Sequence, residues 1–475
     1  MRNGRAKALI SNTVIFAVGN ALTKLIQLVL MPLYTTFMTV GDYGVAELVN
    51  NMSDLLYPLL CLCIFESVFR FAMERDVDKG SLLVGAIGVL VAMTPIGFLV
   101  AFVAYAVFAY EQAWACLLLV VAVSARTILA QFARGVGEVR RFAVSGVLNT
   151  LALLAFTIVF IVFFGWGVPG YIAALILGNI GSSLYIAVSC RLWRFVGSRP
   201  DKSLLLRMLT YSLPLLPNTL AWWFMNIFGR YAILIFQGPV SAGLYTAASK
   251  LPSLVNFLST IFQQAWQISA AQELDSEDGV RYFSKVFDLF AAFLYCGCSV
   301  LVTLSIPLAA ILLRGEFFEG WRFVPLLMLS ALIGCVSAFF GTFYNAAKQT
   351  GAVFSSTVAG AAVNVAIALA LVNVAGVWGV LASSVIGQVV TLVYRVIDSR
   401  RFAPISYDAA GQLGSAAALL LQTVIIPLLP GNVGTAVSAI PTIALLAYHG
   451  RRNGATVIAY ARQLAGGRSS KERKL

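Results

Sequence analysis

The chain has 475 residues, of which 60% are hydrophobic and 11% charged, with a formal charge of +13. Soluble domains carry about 25% charged and about 45–50% apolar residues, so a water-soluble fold could not hide this apolar surface, and the solvent must be lipid. The positive excess sits in short stretches between apolar runs, which points to membrane topology and not to nucleic acid.

In chain order, the basic segment Met1–Lys7 precedes an apolar run that continues to about Met38. The apolar region of a cleaved signal is roughly 7–15 residues, so this run reads as a retained first helix. At about twenty apolar residues per crossing, the next spans are 44–70, 82–109, 112–133, 143–165 and 169–190, after a first span at 9–37. Spans 210–237, 244–270, 284–312, 324–346, 351–373 and 377–395 follow, and 411–429 and 432–449 complete the set. The expected fold is all-α, a polytopic membrane protein of about fourteen transmembrane helices.

Loop charge orients these spans. Arg70, Arg75 and Lys79 fall on one side, with Arg134, Arg140 and Arg141, the stretch from Arg191 to Arg207, Arg400, Arg401 and the tail from Arg451. Arg395 counts with that group at the end of span 12. The alternate loops hold only Arg314 and Arg322. The asymmetry is the positive-inside pattern and places both termini in the cytoplasm.

The basic connector Arg191–Arg207 follows the sixth span, so a second copy starting near 208 would insert in the same orientation, as parallel repeats do in many transporters. Tyr43-Gly44-Val45-Ala46-Glu47 opens span 2, and Ala242-Gly243-Leu244-Tyr245-Thr246 opens span 8. Glu74 and Glu273 follow at the same offset. The expected division is an N-terminal lobe at 1–197, a C-terminal lobe at 198–402, and a segment at 403–475 with spans 13 and 14 and a basic tail. The cysteines show no metal-ligand spacing and read as small core hydrophobes. No cofactor is expected.

Charges at membrane depth cost about 2.5–3.5 kcal/mol each on insertion scales. Lys24 lies in span 1 with Asn20 one turn before it, Arg126 in span 4, Arg230 in span 7 near Asn226, and Lys250 in the outer part of span 8. Span 2 carries Glu47, Asn50, Asn51 and Asp54 at i, i+3, i+4 and i+7, a single helical face. Span 8 carries Ser253 and Asn256 in a polar stripe along most of its length. Each has a bland alternative. Lys250 is near enough to the surface to snorkel. Arg126 can pair with Glu66 or a carbonyl, Glu66 and Arg70 form an ordinary one-turn pair, and the stripes serve equally as helix contacts. If the halves are repeats, spans 1 and 2 correspond to 7 and 8, and their polar faces converge where repeat-built transporters bind substrate.

Ser11-Asn12 opens span 1, Pro32-Leu33 lies near its end, Gly41-Asp42-Tyr43-Gly44 precedes span 2, and Tyr211-Ser212-Leu213-Pro214 opens the second half. In these features the chain resembles the Wzx-like polysaccharide-biosynthesis flippases of the multidrug/oligosaccharidyl-lipid/polysaccharide exporter superfamily. The resemblance implies two parallel six-helix lobes around a central cavity, plus two C-terminal helices. It implies a bacterial cytoplasmic-membrane transporter, not an enzyme, whose substrate is an oligosaccharide or polysaccharide repeat unit on undecaprenyl pyrophosphate. Lys24, Arg126, Arg230 and Lys250 match in type the cationic cavity groups of such flippases. Asn20, Asn50, Asn226, Ser253 and Asn256 are then polar lining, and Glu47 and Asp54 sites for a coupling H+ or Na+. Membrane lipids, a glycan polymerase and glycosyltransferases are implied partners, with no nucleic acid.

Without a phosphate-binding loop, energy must come from an ion gradient, the membrane potential or consumption of product. A multidrug cation antiporter of the same superfamily is the nearest rival and would favour buried carboxylates over cations. A cell-envelope membrane enzyme would need a large outer loop or a catalytic His/Asp/Glu cluster, whereas the stretch Leu313–Phe323 is short.

Overall fold

The computed structural model describes residues 23–472 apart from 24–25, 196, 274–278, 348–349, 402–404 and 430–431. Among the described residues the regular structure is helical throughout, with no strand. Among the described residues ten stretches are long and apolar enough to cross a membrane, or eleven if one bent pair counts as a crossing. The expected fourteen spans map onto these stretches as follows. Span 1 is represented by Ile26–Phe37 alone, and spans 11 and 12 run together in Ala352–Arg401. The chain forms two compact units, residues 1–246 with 314–317, and residues 247–313 with 318–475.

In the first unit, α1 (Ile26–Phe37) leads into α2 (Val40–Leu60), whose start is capped by the Thr39 side chain accepting from the Asp42 amide. α2 meets α3 (Ile64–Ala72) at a bend of 62°. Pro58 lies one turn before the bend, and Leu62 and Cys63 both adopt φ 52°. A left-handed conformation costs a non-glycine residue about 1–2 kcal/mol, so the surrounding packing must hold it. α3 rests against α8 (Lys202–Ser212), where the Ser67 hydroxyl donates to the Met208 carbonyl at 2.6 Å. Arg70 pairs with Glu74 at 3.5 Å, and so does Arg207 at 3.4 Å. The expected Glu66–Arg70 pair is not the one formed.

α4 (Lys79–Phe108) starts on Asp78, which accepts from the Gly80 and Ser81 amides. Its outer half is apolar all round and leaves Val91, Leu99 and Val107 more than 60% exposed, as a helix bathed in hydrocarbon would. α5 (Ala113–Gly135) and α7 (Gly167–Ser189) form the middle of the unit, burying Leu119, Ile128, Phe132, Ile172 and Ile186. α6 (Val139–Thr157) continues into one π-helical stretch, Ile158–Phe163. α9 (Leu216–Ala248) is broken at Gly238 and carries Pro239 just beyond. Past that break, Gly44 of α2 and Gly243 of α9 meet. A Cβ on Gly44 would strike the Pro239 carbonyl, and one on Gly243 would strike the Val40 carbonyl. Each glycine thus faces the carbonyl four residues before the other.

The second unit is centred on α13 (Val324–Ala346), which touches α10 (Pro252–Glu273), α11 (Gly279–Thr303), α14 (Thr350–Asp398) and α15 (Ala409–Leu428). α12 (Ser305–Leu312) and α16 (Asn432–Glu472) complete it. Phe262 stacks on Phe290 with ring centroids 4.1 Å apart, and Trp266 on Phe339 at 4.6 Å. α14 is two helices joined at Gly376, whose φ 57° and ψ −135° only glycine adopts without strain. Arg395 is buried and not a loop charge. It donates to Ser356 Oγ at 3.1 Å, the Ser337 carbonyl at 3.1 Å, Ser337 Oγ at 3.3 Å and Thr357 Oγ1 at 2.9 Å. Three hydroxyls and a carbonyl solvate the ion where water does not reach.

Gln422 of α15 joins this unit's last two helices to α11. Its amide nitrogen lies 3.0 Å from the Ser299 carbonyl and 2.7–2.9 Å from the Thr303, Ser438 and Thr442 hydroxyls. Its oxygen accepts from Ser299 Oγ at 2.8 Å. At one end of the same three helices, Asp408 caps α15 through the Gly411 amide at 3.0 Å. Asp408 also accepts from Tyr448 at 2.9 Å and pairs with Arg452, which reaches Asp288 at 3.2 Å.

Candidate functional site

The polar face of α2 turns inward in the first unit. Glu47 and Asn51 are each 4% exposed, Asn50 is half-buried, and Asp54 is exposed. Burial leaves a carboxylate dependent on donors, and two phenols supply them. Tyr43 Oη donates to Glu47 Oε1 at 3.1 Å and Tyr171 Oη to the same oxygen at 3.0 Å. Tyr43 sits one helical turn before Glu47, so α2 itself delivers the first donor, and α7 delivers the second. Tyr34 of α1 closes the cluster, with its ring 5.0 Å from that of Tyr171 and its hydroxyl 3.3 Å from Thr157 Oγ1. Bonds of a phenol to an ionised carboxylate are roughly twice as strong as neutral ones.

Two guanidiniums complete the site. Arg230 Nη1 on α9 donates to Asn51 Oδ1 at 3.1 Å, and the neighbouring Tyr231 hydroxyl donates to the Leu48 carbonyl at 3.2 Å. These bonds fasten α9 along α2. Arg126 Nε on α5 donates to Asn179 Oδ1 on α7 at 2.7 Å. Asn179 is itself set by donating through Nδ2 to the Leu175 carbonyl at 2.8 Å. Arg126 also lies within electrostatic reach of Asp54 and Tyr57. The partner of Arg126 is therefore an asparagine two spans away and not Glu66. A guanidinium presents five donors in a fixed fork, and the Nε of Arg126 that meets Asn179 is one of them. The arrangement offers planar cationic donors, an exposed carboxylate and an amide on neighbouring helices of one unit, which suits an anionic, polyhydroxylated ligand.

Of the residues expected from the sequence, the structure gathers Arg126, Arg230, Glu47 and Asp54 in this unit, together with Asn51. Asn50 stands beside them on α2, where its carbonyl accepts from Ser53 at 2.7 Å. Lys24, Asn20 and the side chain of Asn226 lie outside the described residues. Lys250, Ser253 and Asn256 belong to the second unit. Lys250 sits not within a continuous span but in a turn between Ala248 and Pro252, where its carbonyl accepts from Ser253 Oγ at 2.5 Å. Asn256 Oδ1 accepts from Cys335 Sγ at 3.5 Å. Sequence reasoning missed Tyr34, Tyr171, Tyr231 and Asn179. The one-turn spacing of Tyr43 and Glu47 was a usable signal; the others meet the site only through the tertiary fold. Among the described residues no group of His, Cys, Asp and Glu could hold a metal ion.

Comparison with solved structures gives the fold a context. The chain resembles lipid II flippase MurJ in an inward closed conformation, at TM-score 0.69 and 10% identity, over 94% of this chain and 100% of that one. It also resembles an inward-facing multidrug resistance MATE family transporter of the MOP superfamily, at TM-score 0.61 and 16% identity, over 80% and 94%. A MOP superfamily transporter from Pyrococcus furiosus matches at TM-score 0.54 and 16% identity, over 83% and 96%. At such identities the likeness is one of fold. No curated protein sequence matches the chain. The family model described as polysaccharide biosynthesis protein matches residues 9–267, more than half of the sequence. The chain belongs to the polysaccharide biosynthesis protein family.

Proposed function

We propose that this protein is a flippase that carries an undecaprenyl-pyrophosphate-linked oligosaccharide or repeat unit across the bacterial cytoplasmic membrane by alternating access. The observation that carries the proposal is the pair of guanidiniums, Arg126 and Arg230, each oriented by an asparagine inside the membrane-spanning unit that bears the family match. A diphosphate with attached sugars needs a hydrated path lined by such groups while the bilayer excludes charge. Lys24 and Lys250 add cations to the path, and Asn20, Asn50, Asn226, Ser253 and Asn256 add sugar-binding amides and hydroxyls. Glu47 and Asp54 couple the movement to H+ or Na+. The lobes at 1–197 and 198–402 rock about the path, the termini face the cytoplasm, and 403–475 supplies accessory helices. A polymerase and glycosyltransferases act on the same glycan before and after transport.

The test is binding by purified protein. An undecaprenyl-pyrophosphate glycan should bind about tenfold or more tightly than its dephosphorylated counterpart, since a charge-assisted phosphate bond is worth about 1.5–3 kcal/mol. Arg230→Gln should narrow that gap. A second reading, a multidrug cation antiporter, draws on the buried carboxylate Glu47. Saturable efflux of cationic dyes together with indifference to the diphosphate would replace the flippase by the antiporter.

A further inference from the structure

The first unit takes in four residues from far along the chain, Arg314–Phe317. They lie between α12 and α13, where the 3-10 helical stretch Gly315–Phe323 begins. Gly315 turns the chain at φ 59°, and Arg314, Gly315 and Glu316 are exposed. Phe317, by contrast, is 1% exposed. A phenylalanine buried in a loop of exposed neighbours needs a seat, since its side chain gains only where it leaves solvent. The seat is Tyr43: the two rings meet edge to face, with centroids 5.5 Å apart and planes at 73°.

Tyr43 leads directly to the buried carboxylate. It lies in the first turn of α2, and Glu47 lies one turn further in, about 6 Å along the axis. The Tyr43 hydroxyl donates to Glu47 Oε1 at 3.1 Å. Its ring also meets those of Tyr34 at 5.8 Å and Tyr171 at 6.4 Å. The phenols gathered at Glu47 are thus Tyr34 of α1, Tyr43 of α2 and Tyr171 of α7, and the Arg230 guanidinium of α9 is within electrostatic reach of Tyr43. Beside Tyr43, α2 and α9 approach at Gly44 and Gly243 too closely for even a methyl group. The turn before α2 and the loop that carries Phe317 both fall on the side that loop charge makes extracytoplasmic.

We propose that Phe317 is an extracytoplasmic plug whose seat on Tyr43 closes the outer approach to the Glu47 carboxylate. The inference rests on Glu47 as the coupling site of the flippase and deepens it, by naming the residue that governs access to that site from outside. With the plug seated, the coupling ion cannot reach Glu47 from the outer face; with the loop lifted, it can. Burial of a phenylalanine side chain favours the seated loop by roughly ten- to a hundredfold, so the plug is in place most of the time and still lifts.

The experiment measures how fast a membrane-impermeant carbodiimide modifies Glu47 of the full-length protein, read by mass spectrometry. The reagent is added to the outer face of sealed spheroplasts or to the cytoplasmic face of inverted vesicles. Phe317→Ala should raise the rate from outside about tenfold or more and leave the rate from the cytoplasmic face within about twofold. Phe317→Leu, which keeps apolar bulk and spares the fold, should fall between wild type and Phe317→Ala. Glu316→Gln, one residue away and exposed, should label like wild type. A thermal midpoint checks that each variant is folded. An outside rate that does not rise in Phe317→Ala, or that rises as much in Glu316→Gln, overturns the proposal. So does an equal rise from both faces, which is the mark of loosened packing. Those results leave the flippase reading standing. Loss of that reading has its own signature, diphosphate-glycan binding that is insensitive to Arg230→Gln.

Discussion

Arg126 and Arg230 lie on helices whose neighbours are almost all apolar, and each reaches an asparagine on a different helix. The types of these residues are legible in the sequence because a charge inside an apolar run stands out. Their partners are not, since Asn179 and Asn51 are brought close only by tertiary packing. The coupling between Arg126 and Asn179 can be measured. Asn179→Leu deprives the guanidinium of an orienting acceptor and should weaken diphosphate-glycan binding by about tenfold, less than Arg126→Gln. In the double variant the Asn179 change should have almost no further effect, because the group it orients is gone. Additive losses would show that Asn179 acts independently of Arg126. Transport should be lost in Lys24→Ala and in Arg230→Ala at normal membrane levels, and Lys24→Arg should keep part of it. Wild-type flux in both alanine variants would return these cations to a structural role.

Helices rather than residues decide how the second unit closes. Gln422 is fully buried and contacts side chains of α11 and α16, a role that spacing along α15 does not announce. Interhelical hydrogen bonds in membranes average about 0.6 kcal/mol each, and Gln422→Leu removes several of them while leaving four hydroxyls to re-pair. The expected destabilisation is about 1–3 kcal/mol, read as a lowered thermal midpoint in detergent with diphosphate binding by the first unit unchanged. An unaltered midpoint would make the cluster dispensable. Helix existence is legible from hydrophobic runs, whereas breaks are legible only in part. Gly376 and Gly238 mark theirs, but Leu62 and Cys63 adopt left-handed geometry that no local preference of Leu or Cys foretells. The polar stripe of α10 is readable as well, and it keeps that helix out of the set that passes as membrane-spanning by composition.

Across the whole chain, the distribution of lysine and arginine carries the topological argument, because orientation depends on loop charge and not on tertiary contacts. Reporters fused after Tyr110 and Gly165 should behave as extracytoplasmic, and those after Asp76 and Arg401 as cytoplasmic. Opposite signals at any two would break the parity of the span list. Arg395 shows where loop counting misleads: at the end of a span a cation can be taken for topology and yet be solvated by Ser356, Ser337 and Thr357. The close approach of Gly44 and Gly243 joins the same two segments whose faint likeness suggests a repeat.

The Gln422 cluster also sets an order of events during synthesis. Ser299 and Gln422 are separated by 123 positions, and at about 5–20 residues per second the ribosome takes roughly 6–25 s to cover that distance. Over that interval α11 can already occupy the bilayer, with the Ser299 and Thr303 hydroxyls left to the carbonyls of their own helix. Arrival of α15 and α16 exchanges those bonds for interhelical ones. A nascent chain stalled before residue 422 would therefore present an open polar seam along α11 to lipid and to membrane quality control.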